Sequence, residues 1–230
     1  MPPRAPGPLG CRGAVLACLL LAAGPRASSQ ALDPAKALTQ YHVDTWDTAD
    51  NLPQNSVTAI LQSRDGYLWL GTYGGVGRFD GVRFATFDTA NTPELLSNGI
   101  QALLEDRAGA VWIATSGGGL TRYQGGRFTT YTAAEGLPSD IVRCLKAGRD
   151  GSLWIGTNDG LSRFQGGRFT NLTTKEGLSN GVVRALEEDE TGLWIGTNGG
   201  GLDRLEGGKL THLTDREGLP SNFVFALLRT

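Results

Sequence analysis

The stretch Leu153-Trp154-Ile155-Gly156-Thr157 decides how this sequence is read, because the chain writes it four times. The other copies are Leu68-Trp69-Leu70-Gly71-Thr72, Val111-Trp112-Ile113-Ala114-Thr115 and Leu193-Trp194-Ile195-Gly196-Thr197, and the tryptophans stand 43, 42 and 40 residues apart. One tryptophan in each period of about forty residues marks a stacked or radial repeat.

Working outward, each copy sits in the same frame. A loop comes first: Leu52-Pro53-Gln54-Asn55, Leu95-Leu96-Ser97-Asn98, Leu137-Pro138-Ser139-Asp140, Leu178-Ser179-Asn180 and Leu219-Pro220-Ser221-Asn222. A short apolar strand a follows, and its third position is always small: Ala59, Ala102, Cys144, Ala185, Ala226. A crowded inner strand demands that, since interiors are close-packed, so Cys144 reads as a core stand-in for alanine. Asp65-Gly66 and Asp150-Gly151 then predict two-residue hairpins, with looser versions ending at Gly109 and Gly192. The tryptophan strand b, a glycine-rich loop, a strand c ending at Arg78, Arg122, Arg163 or Arg204 and its neighbour, a tight Gly turn and a strand d complete the unit. Four short strands joined by hairpins within forty residues make one propeller blade.

The expected fold is therefore all-β: a β-propeller of four-stranded antiparallel blades in an incomplete ring. Four full blades cover about 52–87, 95–131, 137–172 and 178–213, a fifth begins at 219, and one orphan strand stands at each end. The first orphan is 42–46, because Trp46 precedes Val57 by the spacing that separates Tyr131 from Val142. A single sheet has nothing to bury an indole against. Trp69, Trp112, Trp154 and Trp194 are accordingly expected as inter-blade core, worth roughly 2–3 kcal/mol each. The four arginines of strand c are placed to stack on a tryptophan or pair with a loop carboxylate.

Residues 1–30 read as a secretory signal peptide: Arg4 and Arg12, an apolar run from Ala14 to Ala23, then small residues Ala27-Ser28-Ser29. Residues 31–40 read as a linker and 41–230 as the propeller. Of the three cysteines, Cys11 and Cys18 leave with the signal, so Cys144 has no partner for an internal disulfide. The first thirty residues hold three of the 21 basic residues and none of the 23 acidic ones, which leaves 18 against 23 beyond them. That balance excludes a nucleic-acid footprint and a basic surface for anionic lipid.

The d-to-a and b-to-c loops share one rim and the short a-to-b and c-to-d turns the other. The first rim carries the longer polar loops and is the expected binding face, lined by Asn55, Tyr73, Asn98, Ser116, Asp140, Asn158, Asn198 and Asn222. The same Asn and Ser side chains also cap turns and tolerate left-handed backbone, and both roles stay open here. Catalysis would need an acid, base or metal constellation that breaks the repeat. His42 and His212, the two histidines, fall in strand d positions of different blades, and the acidic run Glu187-Glu188-Asp189-Glu190 reads as solvated turn. No catalytic residue, metal site or cofactor is expected.

Gly136-Leu137-Pro138-Ser139, Leu153 to Thr157 and Gly160-Leu161-Ser162-Arg163-Phe164 resemble the repeat of the two-component regulator propeller family, and the likeness covers about 41–230. Ala114 and Asn51 depart from it where glycine is usual. The resemblance implies the periplasmic sensor of a larger, inner-membrane-anchored histidine kinase or diguanylate cyclase, so this chain is expected to be the front part of a longer protein. It implies an unknown small molecule, oligosaccharide or partner protein as ligand, and a homodimer of the full-length receptor as one arrangement; membrane contact would come only through downstream segments. A propeller enzyme of the streptogramin-lyase kind, with a similar tryptophan repeat, is the alternative, and a structural protein-interaction propeller a third.

Overall fold

The computed structural model describes residues 37, 39 and 43–229; the signal-like stretch, most of the linker and His42 lie outside the described residues. The chain divides into Met1–Asp44 and a compact unit, Thr45–Thr230, which holds all sixteen described strands. They run β1 (Val57–Gln62), β2 (Leu68–Thr72), β3 (Val76–Phe79), β4 (Phe84–Phe87), β5 (Ile100–Glu105), β6 (Val111–Thr115), β7 (Leu120–Gln124), β8 (Arg127–Tyr131), β9 (Val142–Ala147), β10 (Leu153–Thr157), β11 (Leu161–Gln165), β12 (Arg168–Leu172), β13 (Val183–Glu188), β14 (Leu193–Thr197), β15 (Leu202–Glu206) and β16 (Lys209–Leu213). They form four sheets, each a four-stranded antiparallel meander in chain order. Strands β1, β5, β9 and β13 lie side by side from blade to blade, and each strand b leans on the strand a of the next blade. The blades are thus gathered along their a strands, as in a propeller, and the sheets do not close a ring.

The strand b glycine explains how closely blades approach. A Cβ at Gly71 would stand 2.6 Å from Ile100 Cγ2, and one at Gly156 would stand 2.7 Å from Val183 Cγ1. The branched residue opening the next strand a fills that space. Cys144 belongs to the same layer: its thiol turns into the core 3.9 Å from the Val183 carbonyl, and burial pushes its pKa up to about 12.

Aromatic packing crosses each seam. Trp69 meets Tyr123 of the second blade at 5.0 Å and Trp112 meets Phe164 of the third at 5.3 Å. Both indoles are buried. Trp154 and Trp194 are only half-buried, which corrects the expectation of four equivalent core tryptophans. Trp154 packs on the same buried cluster as Leu205 and Leu210, smaller side chains at the positions where the other seams have Tyr123 with Phe128, or Phe164 with Phe169. Its Nε1 is buried without an acceptor. Ser63, Asp106 and Asp189 accept the indole N–H in the other blades; Gly148 holds that position in the third.

The terminal segments depart from the expectation of orphan strands. Residues 43–46 and 224–229 carry no ladder among the described residues, only a bridge from Phe223 to Asn198 and the Val224 N–H to the Thr197 carbonyl. A lone strand lacks the full row of partners that a sheet supplies. The register inferred for Trp46 nevertheless holds, because it packs on Phe79 at 4.9 Å much as Tyr131 packs on Phe164. The a-to-b turns also differ. In the first three blades they are three-residue loops with glycine in the left-handed region (Gly66, Gly109, Gly151), closed by bonds such as Ser63 N–H to the Tyr67 carbonyl. The fourth is the tight one, closed between Asp189 and Gly192. The d-to-a loops contain capping boxes absent from the sequence reading, Asp47/Asp50, Thr132/Glu135 and Thr214/Glu217.

If the loose third seam comes from undersized partners, Leu205→Phe will shield Trp154, blue-shift its emission and raise stability by about 1 kcal/mol, roughly 2–4 °C in Tm. Phe164→Leu will lower stability by a similar amount by opening the seam around Trp112.

Candidate functional site

Every strand a carries a bulge at the same place. Val57 faces Thr72 and Ala59 faces Gly71, which leaves Thr58 over; Gln101, Arg143 and Arg184 are left over in the same way in the next three blades. A bulge bends its strand and re-aims the extra side chain. Here it does so where the d-to-a loop enters the inner strand, on the rim with the longer loops.

The four side chains differ in chemistry. Thr58 Oγ1 donates to the Ile100 carbonyl at 2.7 Å. Arg143 donates from Nε to Asn158 Oδ1. Arg184 lies 5.3 Å from the Phe225 ring, and its Nε is buried without a partner. Burial, and then the charge of Arg184, hold the Arg143 pKa below the ordinary guanidinium value. Neither arginine has an ion pair among the described residues. Two adjacent inner strands therefore present un-neutralised guanidinium groups at one rim, an arrangement suited to a carboxylate, sulfate or phosphate.

The sequence-predicted rim residues are placed as follows. Asn55, Asn98, Asp140 and Asn222 each accept a backbone N–H across their own d-to-a loop, from Thr48, Thr89, Ala133 and Asp215, at 2.7–3.0 Å. Tyr73 is exposed on a b-to-c loop whose backbone is tied to Gln54. Ser116 and Asn198 bridge to Ile141 and Phe223 across the seams. Only Asn158 meets a bulge arginine. Thr58, Gln101, Arg143 and Arg184 went unnoticed in the sequence; their signal is a polar residue at the second place of an otherwise apolar strand, repeated in register.

The opposite rim is tied together by ions. Each strand c arginine lies over its cross-strand tryptophan: Arg78 5.7 Å from Trp69, Arg122 5.5 Å from Trp112, Arg163 5.2 Å from Trp154 and Arg204 4.8 Å from Trp194. Arg64 and Arg107 reach the carbonyls of Arg107 and Arg149 in the following blades. The acidic run is not simply solvated: Glu187 pairs with Lys146 at 2.7 Å, Asp189 with Arg204 at 3.4 Å and Glu190 with Arg229 at 3.1 Å, while Glu188 accepts the Arg149 N–H. Packing the blades brings basic side chains to Glu187, Asp189 and Glu190 and a backbone N–H to Glu188.

His212 Nδ1 lies 2.7 Å from Oδ1 of the buried Asp203, whose other oxygen accepts the Ser179 N–H. Thr121 with Thr130 and Ser162 with Asn171 make the same c-to-d strut in the two preceding blades. The Asp–His pair occupies a bracing position of the repeat. No grouping of His, Cys, Asp and Glu that could hold a metal ion occurs among the described residues.

A radial set of four-stranded antiparallel blades defines a β-propeller, here with two arginines on one loop rim. The family model described as two component regulator propeller matches residues 51–74, 94–117, 136–159 and 177–199, one stretch per blade, so the chain carries four repeats of this family. The chain is similar to the extracellular domain of the hybrid two component system BT3049 from B. thetaiotaomicron, at 25% identity and a TM-score of 0.63 over 70% of this chain. It is also similar to that of the system BT4673 from the same organism, at 23% identity and a TM-score of 0.57 over 71% of this chain. It spans about 25% of each of those longer chains. A streptogramin B lyase shares the fold at 18% identity and a TM-score of 0.56, over 74% of this chain and 59% of that one. No curated protein matches the chain significantly. Among the described residues no helix is long and apolar enough to cross a membrane.

Asp150 generates a pH prediction. Hydrogen bonds from Ser152, with Arg163 adding to them, lower its pKa from 3.8 to about 2. A depressed carboxylate contributes its stability above the unfolded value and loses it as pH falls through the folded one. Urea midpoints of the unmodified chain will therefore fall more steeply than those of Asp150→Asn between pH 3.8 and 2, and the two will run parallel from pH 5 to 7.

Proposed function

We propose that this chain is the extracytoplasmic ligand-recognition propeller of a bacterial signal-transduction receptor, of the histidine kinase or diguanylate cyclase kind, exported by residues 1–30. The observation that carries the ligand side of this reading is the Arg143–Arg184 pair, two guanidinium groups without counter-ions, re-aimed by bulges at the loop rim. The ligand is a small molecule or oligosaccharide bearing an acidic group; Asn158, which accepts from Arg143, supplies a polar contact beside it. The four family repeats and the similarity to extracellular domains of two component systems support the receptor context. Binding would act by favouring one arrangement of downstream domains over another, to the extent of its differential affinity for the two. The chain itself performs recognition and no chemistry.

Two experiments test this. Thermal shift against paired acidic and neutral oligosaccharides will stabilise the unmodified chain with an acidic member only, and Arg143→Gln with Arg184→Gln will remove the shift. Stabilisation by neutral sugars alone, or a shift that survives the double substitution, would contradict the site. Separately, residues 1–40 fused to a reporter active only outside the cytoplasm will give activity that Leu19→Arg with Leu20→Arg abolishes; cytoplasmic retention of the unmodified fusion would contradict export.

A further inference from the structure

The seam between the second and third blades holds a cavity of about 300 Å³ on the rim opposite the bulges, lined by Trp112, Arg122, Tyr131, Phe164 and the Gly166-Gly167 turn. Comparison among the repeats isolates what is unusual in it. Arg78 donates to the Tyr123 hydroxyl at 2.8 Å, Arg163 pairs with Asp150, and Arg204 pairs with Asp189 and Glu206. All four have a buried Nε without an acceptor, but Arg122 alone of them makes no ion pair or side-chain hydrogen bond among the described residues. In the sequence, Ala108 stands in the a-to-b turn where the third blade has Asp150, the partner of Arg163.

An acid does line the cavity. Asp106, however, has its oxygens engaged by the Ala108 and Ala110 N–H groups at 2.9 and 3.0 Å and by Trp112 Nε1 at 2.8 Å. Arg107 adds a second positive charge at the mouth, its guanidinium donating to the Arg149 carbonyl. The equivalent hollow at the next seam, lined by Asp150, Glu188, Asp189 and Glu190 beside Arg149 and Arg163, is acidic instead. Only the second seam, of these two, offers an unsatisfied cation inside an aromatic-walled space of ligand-pocket volume.

We propose that this seam cavity is a second binding site, distinct from the bulge rim, for a small planar carboxylate. The carboxylate takes two N–H groups of Arg122 side by side, the geometry that guanidinium favours, and its flat apolar body lies against Tyr131 and Phe164. Trp112 beneath the guanidinium holds it in place from the other face. The site does not depend on the receptor reading, since it needs only the two blades.

Isothermal titration of the full chain with benzoate, and with benzamide as the neutral isostere, tests the assignment. Benzoate will bind and benzamide will not. Arg122→Gln will weaken benzoate binding at least tenfold. Ala108→Asp, which gives Arg122 the partner that Arg163 already has, will weaken it similarly while leaving the melting temperature unchanged or higher. No benzoate heat with the folded chain, equal binding of benzamide, or full binding by the folded Ala108→Asp chain would each overturn the proposal.

Discussion

One constraint governs the molecule: a four-stranded sheet cannot cover its own tryptophan, so each blade depends on the next. Indole, strand b glycine and the branched residue opening the following strand a form a single contact. Gly71 against Ile100 and Gly156 against Val183 set the blade spacing, and Trp112 against Phe164 fills what remains. Where the facing side chains shrink, as at Leu205 and Leu210, the indole is left half-covered, and Gly148 in the acceptor position leaves its N–H unpaired. Stability in such an array is a sum over seams, and these seams are unequal.

The repeat also explains where recognition arises. Every blade must bulge at the second residue of strand a to keep its small third residue in the crowded inner layer, and the bulge releases one side chain per blade from packing duty. Threonine and glutamine take two of those places and arginine the next two, so charge gathers on one side of the rim without disturbing the core. On the opposite rim the arginines begin as structural partners of the tryptophans. Arg122, with Ala108 where the third blade has Asp150, is the one of them without an ion pair or side-chain hydrogen bond among the described residues. Departures from internal symmetry, read one position at a time, are the places to look for chemistry in this chain.

Much of the fold was legible in the sequence. The tryptophan period gave the four blades, and the Val57-to-Gln62 and Leu68-to-Thr72 pattern gave strands that the structure contains. For Arg78, Arg122, Arg163 and Arg204 the sequence leaves open stacking on a tryptophan or pairing with a loop carboxylate, and the structure contains both. The site was less legible. A polar second position in strand a is the bulge's one trace, and on its own it fits an ordinary solvent-facing strand residue, as Arg143 and Arg184 do, while Asn55, Asn98, Asp140 and Asn222 stand out for composition and brace their own loops. The acidic run Glu187–Glu190 was misjudged because its partners, Lys146 and Arg229, lie about forty residues away in the chain.

A double-substitution cycle between Trp112 and Phe164, each replaced by alanine singly and together and followed by urea unfolding, measures the seam itself. If each indole is held by the following blade, the pair will show a coupling of about 1 kcal/mol. Strictly additive losses would mean that the blades stand without leaning on one another, and the account of this fold would fail.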